Sequence, residues 1–216
     1  MSPGRVCIRA LAALAAASSF VGAAQAQIAP GRSGSPDVLY LDAEQSMKQL
    51  ADFGRCYGDN QRKQALSLIA TRPGSREEAA TFRKLFKGDS QMCLLGGTTM
   101  YSSVDSVRGA IAEGLLRSGQ PLPAEYRLAA PTAAEVGGLS DVARCYAASH
   151  LEEARRVLAT KPGSRAEHEA VKGVVAGFGT CLPPGGRIRA DATLVRFRLA
   201  EALLRLGVPV TAPAGS

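Results

Sequence analysis

The side chains best suited to chemistry in this sequence are four well-separated cysteines. Cys56, Cys93, Cys145 and Cys181 could bind a zinc ion as thiolates or could form two disulfides. Cysteine zinc sites usually contain a close Cys-x-x-Cys pair, which this sequence lacks. An even number of cysteines behind an N-terminal export signal is typical of disulfides, so we predict disulfides and no metal site.

An internal duplication decides between the possible pairings. The tripeptide Arg-Cys-Tyr at residues 55–57 recurs at residues 144–146, and Pro-Gly-Ser-Arg at residues 73–76 recurs at residues 162–165, both with an offset of 89 residues. Each copy has its second cysteine 36 or 37 residues after the first, so a duplicated unit would inherit one disulfide per copy. Closing a loop of that length contributes about 3–4 kcal/mol on the chain-entropy estimate. The predicted pairs are Cys56–Cys93 and Cys145–Cys181.

Two duplicated arginines, Arg76 and Arg165, are candidates for binding an anion because each follows the serine that begins a predicted helix. Free N–H groups at such a helix start, with a guanidinium beside them, could hold a phosphate or a carboxylate. The alternative is a Ser-x-x-Glu capping box, because a glutamate follows each serine by three residues and the box would use the same N–H groups. We expect the capping box and keep the anion site as a hypothesis.

A second pair of duplicated arginines, Arg108 and Arg196, could contribute to the same kind of anion site. Alternatively, each could bind a carboxylate or a helix-end carbonyl within its own repeat, since a guanidinium carries several donors in a fixed plane. The duplicated pairs Glu113–Arg117 and Glu201–Arg205 are each four residues apart. This spacing predicts ion pairs on a helix surface that contribute a few tenths of a kcal/mol.

The sequence contains no recognisable catalytic motif. Its two histidines, His150 and His168, have no counterpart in the other copy, and His-Glu-x-x-His, Gly-x-Ser-x-Gly and Gly-Lys-Ser/Thr motifs are absent. We therefore expect a protein that is not an enzyme and that has no catalytic residue, cofactor or metal. An envelope hydrolase whose acidic residues no motif marks is kept as a third hypothesis.

The basic side chains of the second copy form a further candidate surface. Such a surface could attract an anionic lipid, a nucleic acid or an acidic protein. A solvated face is the alternative that we expect, because runs of charge usually indicate exposure to solvent. The absence of tryptophan and an aromatic content of 5% argue against a stacking platform for nucleic acid. These side chains are Arg155, Arg156, Arg187, Arg189, Arg196, Arg198 and Arg205.

Residues 1–26 are predicted to be a signal peptide. Arg5 and Arg9 precede an apolar run at residues 10–21, and Ala24-Gln25-Ala26 matches the small-x-small pattern of a cleavage site. An uncleaved anchor is the alternative, although the run is short for a membrane span. Cleavage near Ala26–Gln27 would leave a periplasmic or extracellular protein with no membrane-spanning segment.

Helical periodicity predicts an all-α fold of two homologous ~89-residue repeats, each with about four helices and one disulfide. We expect two similar subdomains packed together rather than an open solenoid, because the repeat is longer than solenoid units. The predicted segments are a disordered linker at 27–38, helical repeats at 39–120 and 132–207, a linker at 121–131 and a disordered tail at 208–216. The predicted helix caps are Asp42, Ser75, Ser102 with Asp105, Thr132 with Glu135, Ser164 and Asp191.

These features predict an exported, non-enzymatic helical scaffold that binds an envelope protein or an anionic envelope component, without specific binding of nucleic acid. The alternative is a protein that binds a small anion or an envelope lipid in a groove between the repeats. The candidate ligand-binding residues are Arg76, Arg108, Arg165 and Arg196.

Overall fold

The structure is a computed structural model that describes residues 43–86, 92–94 and 102–209. These ranges contain eight α-helices and no β-strand, which confirms the predicted all-α class. The signal peptide, the linker at 27–38, the cap Asp42 and residues 210–216 of the tail lie outside the described residues. The helices are α1 (Ala43–Asn60), α2 (Arg62–Ala70), α3 (Arg76–Leu85), α4 (Val104–Arg117), α5 (Leu139–Ser149), α6 (Leu151–Ala159), α7 (Arg165–Gly177) and α8 (Ala192–Leu206).

Both disulfides are present, between Cys56 and Cys93 and between Cys145 and Cys181. The first joins the last turns of α1 to the segment after α3, and the second joins α5 to a short 3-10 turn that follows α7. Each bond therefore joins the first helix of one half of the chain to the segment that follows the third helix of the same half.

The helices α4 and α8 form the centre of the molecule. They pack against each other, while α1 covers α4 and α5 covers α8. Every residue of α4 from Val107 to Leu116 is buried, as is every residue of α8 from Val195 to Arg205. Helices enclosed on all sides are usually apolar throughout, but each of these contains arginine and glutamate. Buried apolar side chains from both halves of the described chain belong to one continuous core.

The helix α1 approaches α4 closely because glycines face each other at the crossing. A Cβ atom on Gly114 of α4 would overlap the backbone carbonyl of Gly54 in α1, and one on Gly58 would lie 2.7 Å from the carbonyl carbon of Gly114. Only glycine can occupy such positions without moving one helix away from the other.

Ser75 and Ser164 cap α3 and α7 as predicted. The hydroxyl of each accepts a hydrogen bond from the amide three residues later, Glu78 at 3.0 Å and Glu167 at 3.2 Å. The glutamate half of the predicted box is displaced by one residue, since Glu78 accepts from the amide of Gly74 at 2.6 Å and Glu167 accepts from Gly163. The displacement leaves the second oxygen of each glutamate facing the interior.

Two other helix starts differ from the prediction. The cap of α4 is Ser103 rather than Ser102, and Asp105 binds an arginine of α8 instead of closing a capping box. Thr132 and Glu135 do form a capping box, but it closes a 3-10 turn rather than a helix. The helix α5 begins only at Leu139, because two consecutive glycines at 137–138 disfavour continuation of the helix.

The segment at 121–131 is held against α8 rather than extending freely. Leu122 is buried, and the amide of Leu128 donates to the carbonyl of Arg205 at 3.0 Å. The C-terminal end of α8 is closed by Gly207 in the left-handed conformation. Within the described ranges, no helix is long and apolar enough to cross a bilayer.

Candidate functional site

Arg108 is fully buried at the centre of the molecule and donates from all three guanidinium nitrogens. Its Nε and Nη2 bind the carboxylate of Glu201 on α8 at 2.8–3.1 Å, and its Nη1 binds Glu78 of α3 at 3.0 Å. The remaining bonds go to the C-terminal end of α2, at the carbonyls of Leu68, Ile69 and Thr71 and the hydroxyl of Thr71. Arg108 thus supplies hydrogen-bond donors to buried carbonyls at a helix end, where positive charge is favoured.

Arg196 has the corresponding position in the second half and is also fully buried. Its Nε and Nη2 bind the carboxylate of Glu113 on α4 at 2.9 and 2.7 Å, and its Nη1 lies 3.5 Å from Glu167 of α7. The last distance suits an ion pair but is long for a hydrogen bond. The remaining bonds end at α6, on the carbonyls of Val157, Leu158 and Thr160 and the hydroxyl of Thr160.

The two arginines exchange glutamates between the halves of the chain. Arg108 of the first half binds Glu201 of the second, while Arg196 of the second binds Glu113 of the first. The sequence-based alternative placed these contacts within one repeat. The helix-end carbonyls and one carboxylate, Glu78 or Glu167, do come from the same half, but the carboxylate that binds Nε and Nη2 comes from the other half. The exchange joins α4 to α8 by charge as well as by packing.

Arg117, which is partly exposed, and Arg205, which is buried, add a second arginine to each of the two exchanged glutamates. Arg117 binds Glu113 at 2.8 Å and reaches the carbonyl of Leu158, whereas Arg205 binds Glu201 at 3.0 Å and reaches the carbonyl of Ile69. The i,i+4 pairs are therefore present, but their glutamates are buried rather than lying on an exposed helix surface. The sequence indicated which residues pair but not where they lie.

The sequence predicted a solvated position for Arg198, but Arg198 is buried and is a third arginine bound to Glu201. Only 5% of the surface of Arg198 is exposed, and its guanidinium binds Glu201 at 3.1 Å and also contacts Asp105. Its counterpart in the first half by sequence offset is Ala110, so no duplication marked it. The cluster around Glu201 contains three arginines and three carboxylates, which balances its charge; the members are Glu78, Asp105, Arg108, Arg198, Glu201 and Arg205.

The arginines keep the buried glutamates ionised. Burial alone would raise the pKa of Glu201, but Arg108, Arg205 and Arg198 outweigh burial and lower that pKa to about 2. Burial likewise opposes ionisation of Glu113, and Arg196 and Arg117 lower its pKa below the ordinary value. Both carboxylates are therefore charged in the folded protein at neutral pH.

The lowered pKa of Glu201 predicts a loss of stability in acid. Its stabilising contribution is complete above the unfolded-state pKa of 4.5 and is lost as the pH falls toward about 2. We expect this carboxyl alone to lower the free energy of unfolding by about 2 kcal/mol between pH 6 and pH 3, with Glu113 acting in the same direction. Urea denaturation of the oxidised chain at the two pH values measures the change. Equal stability at both would contradict the pairing.

The other two candidate arginines lie at the surface. Arg76 and Arg165 are exposed first residues of α3 and α7, and the structure does not bring them together with Arg108 or Arg196.

The basic side chains of the second copy are divided between the surface and the interior. Arg156, Arg187 and Arg189 are exposed, Arg155 is partly exposed, and Arg196, Arg198 and Arg205 are buried in the network; they do not form one continuous basic surface.

The two histidines are placed apart from this network. The imidazole of His150 stacks on the ring of Tyr146, with ring centroids 4.4 Å apart, and His168 is exposed on α7. In the part of the chain that the structure describes, no group of His, Cys, Asp or Glu side chains is arranged to hold a metal ion.

Comparisons with protein-family models, with curated proteins and with solved structures found no match to this chain.

Proposed function

We propose that this chain is an exported, non-enzymatic helical scaffold that acts by binding a protein partner at its outer surface. The proposal rests on the positions and the hydrogen bonds of Arg108 and Arg196. These duplicated arginines were candidates for a ligand site, yet both are fully buried and donate to acceptors within the protein. They support a role in holding a shape rather than in capturing a small anion.

The scaffold is proposed to be a duplicated unit, with repeats at 39–120 and 132–207. The sequence offset and the reciprocal exchange of Glu113 and Glu201 support a common origin of the two halves. In this proposal the repeats are not independent subdomains, because each supplies the glutamate that neutralises the central arginine of the other. Neither repeat could then keep its arginine buried without its neighbour.

Export is proposed from the signal-like residues 1–26 together with the two disulfides. Disulfides persist in the periplasm and outside the cell, whereas reducing thiol systems remove most of them from the cytosol. The partner is therefore sought in the envelope or the surroundings of the cell. A protein partner is favoured over an anionic envelope component because the arginine clusters are balanced by carboxylates.

Crosslinking in intact cells tests the proposal. The full chain with a C-terminal tag is expected to be cleaved near Ala26–Gln27, to be oxidised, and to form one discrete crosslinked species with a partner protein. The purified partner should rebind the purified mature chain, and an unrelated exported helical protein of similar size with the same tag is the control. A chain that is retained in the cytosol, or that is exported and remains monomeric without rebinding any crosslinked protein, would contradict the proposal.

A further inference from the structure

The Pro-Gly turn of the second half is covered by the beginning of α1. Glu44 Oε1 lies 2.5 Å from Lys161 Nζ, and a Cβ atom on Gly163 would lie 2.6 Å from the Cα of Glu44. Three residues after Glu44, Met47 is buried beside Gly163, where both line a small cavity. The turn at 161–163 is thus occupied by a helix that presents one carboxylate and, one turn later, one apolar side chain.

Among the described residues, no helix covers the corresponding turn of the first half, Arg72–Gly74. Arg72 stands where the second half has Lys161 and is exposed, and no carboxylate of the described chain lies within ion-pair distance of it. A Cβ atom on Gly74 would meet no heavy atom of the described chain within 4 Å. The two turns therefore share the Pro-Gly dipeptide and its backbone conformation. They differ in that a helix covers only the turn at 161–163 within the described chain.

The difference arises from the lengths of α1 and α5. Aligned on the Arg-Cys-Tyr tripeptides, α5 begins seven residues later than α1. The residues that would form the missing turns, 132–138, adopt a 3-10 turn and an extended segment instead. The second half thus lacks the helical segment that would cover the Arg72–Gly74 turn.

A cavity next to this turn has polar and apolar groups available for contact. It measures about 60 Å³, and Pro73, Leu128, Asp141, Arg144 and Arg198 are among its lining residues. Arg144 binds Asp141 through Nη2 at 3.0 Å, but its buried Nε has no acceptor among the residues that the structure describes. Leu128 is 41% exposed.

We propose that the Arg72–Gly74 turn and the adjoining cavity are the docking site for an acidic helical segment of a partner protein. The segment carries a carboxylate that pairs with Arg72 and, three residues later, an apolar side chain that packs beside Gly74 as Met47 packs beside Gly163. Pro73 and Leu128 line the adjoining cavity. The occupant is inferred from Glu44 and Met47, which have this spacing on the covered turn. The inference rests on the proposed function, since it names the surface through which the scaffold binds.

A helix-stapled peptide with the sequence of residues 43–53 is the probe, because it carries Glu44 and Met47 in register. We expect it to bind the full mature protein in fluorescence anisotropy and to shift the amide resonances of Arg72, Gly74 and 140–144 but not those of Lys161 and Gly163. Arg72→Glu should weaken binding about tenfold, because an attractive pair becomes repulsive. A charge-reversed peptide with lysine at the position of Glu44 should bind Arg72→Glu better than the wild-type protein. Lys161→Glu is the matched control and should leave peptide affinity unchanged.

The inference is overturned if the acidic peptide does not bind, if Arg72→Glu does not change its binding, or if the resonance shifts are confined to Lys161 and Gly163. Self-association of the mature chain that Arg72→Glu abolishes would also overturn it, by making a second copy the occupant. A crosslinked partner that Arg72→Glu still captures would leave the proposed function standing while rejecting this site. The failures of the two proposals are therefore distinguishable.

Discussion

Glu201→Gln is expected to lower the free energy of unfolding by about 3–5 kcal/mol, because it removes the carboxylate on which three buried arginines converge. Glutamine has nearly the same size, so the loss reflects charge rather than a cavity. Its amide would also direct donors toward Arg108, Arg198 or Arg205, which are themselves donors. Denaturation of the oxidised protein in guanidinium chloride at neutral pH, with comparison of midpoints and slopes, measures the change.

Two other substitutions separate this effect from a general loss of ion pairs. Glu152→Gln breaks an exposed pair with Arg155 and should cost less than about 1 kcal/mol. Glu113→Gln removes the corresponding buried carboxylate, which neutralises two arginines rather than three, and should give an intermediate loss. If Glu201→Gln were as mild as Glu152→Gln, the cluster around Glu201 would not be a principal source of stability.

The position of these glutamates could not be read from the sequence for a physical reason. Charged residues are almost never fully buried unless paired, so Glu113 and Arg117 at i,i+4 spacing are typical of a helix surface. What places them inside is the partner Arg196, which lies 83 residues further along the chain. The sequence did contain a signal for burial. The same glutamate–arginine pair recurs in α4 and α8, which otherwise consist mainly of small and apolar residues.

The disulfide pairing and the caps of α3 and α7 were predictable because they depend on short-range or duplicated features. One cysteine pair per copy followed from the offset, and Ser75 and Ser164 are marked by the proline and glycine before them. The start of α5 was predicted incorrectly, because the Thr132 capping box is a local signal that the following two glycines override. Local chemistry specified individual turns but not how far each helix extends.

The formation of a single core also depends on contacts between the two halves of the chain. Because α4 and α8 contact each other, Glu113 and Glu201 each bind an arginine of the other half in the interior, instead of forming ion pairs in solvent. The same contact requires the outer helices to lie close to the central pair, or water would reach the buried charges. The glycines at the crossing of α1 with α4 meet this requirement in the first half.

Gly114→Ala is expected to destabilise the protein by about 3 kcal/mol or more. The added methyl group would overlap the backbone of Gly54, and a backbone cannot rotate away as a side chain can, so α1 must move from α4. That movement would loosen the packing of Phe53 and Tyr57, which are buried on α1. Thermal and denaturant unfolding of the oxidised chain measure the loss.

Gly173→Ala provides the matched control, because Gly173 lies within α7 and its added methyl group would meet no atom of the described chain within 4 Å. There the same substitution should stabilise by about 0.5–1 kcal/mol, through the better helix propensity of alanine. Opposite signs for one chemical change would show that close approach of backbones, rather than propensity, makes Gly114 necessary. If Gly114→Ala were also neutral or stabilising, α1 and α4 could not cross as closely as the structure has them.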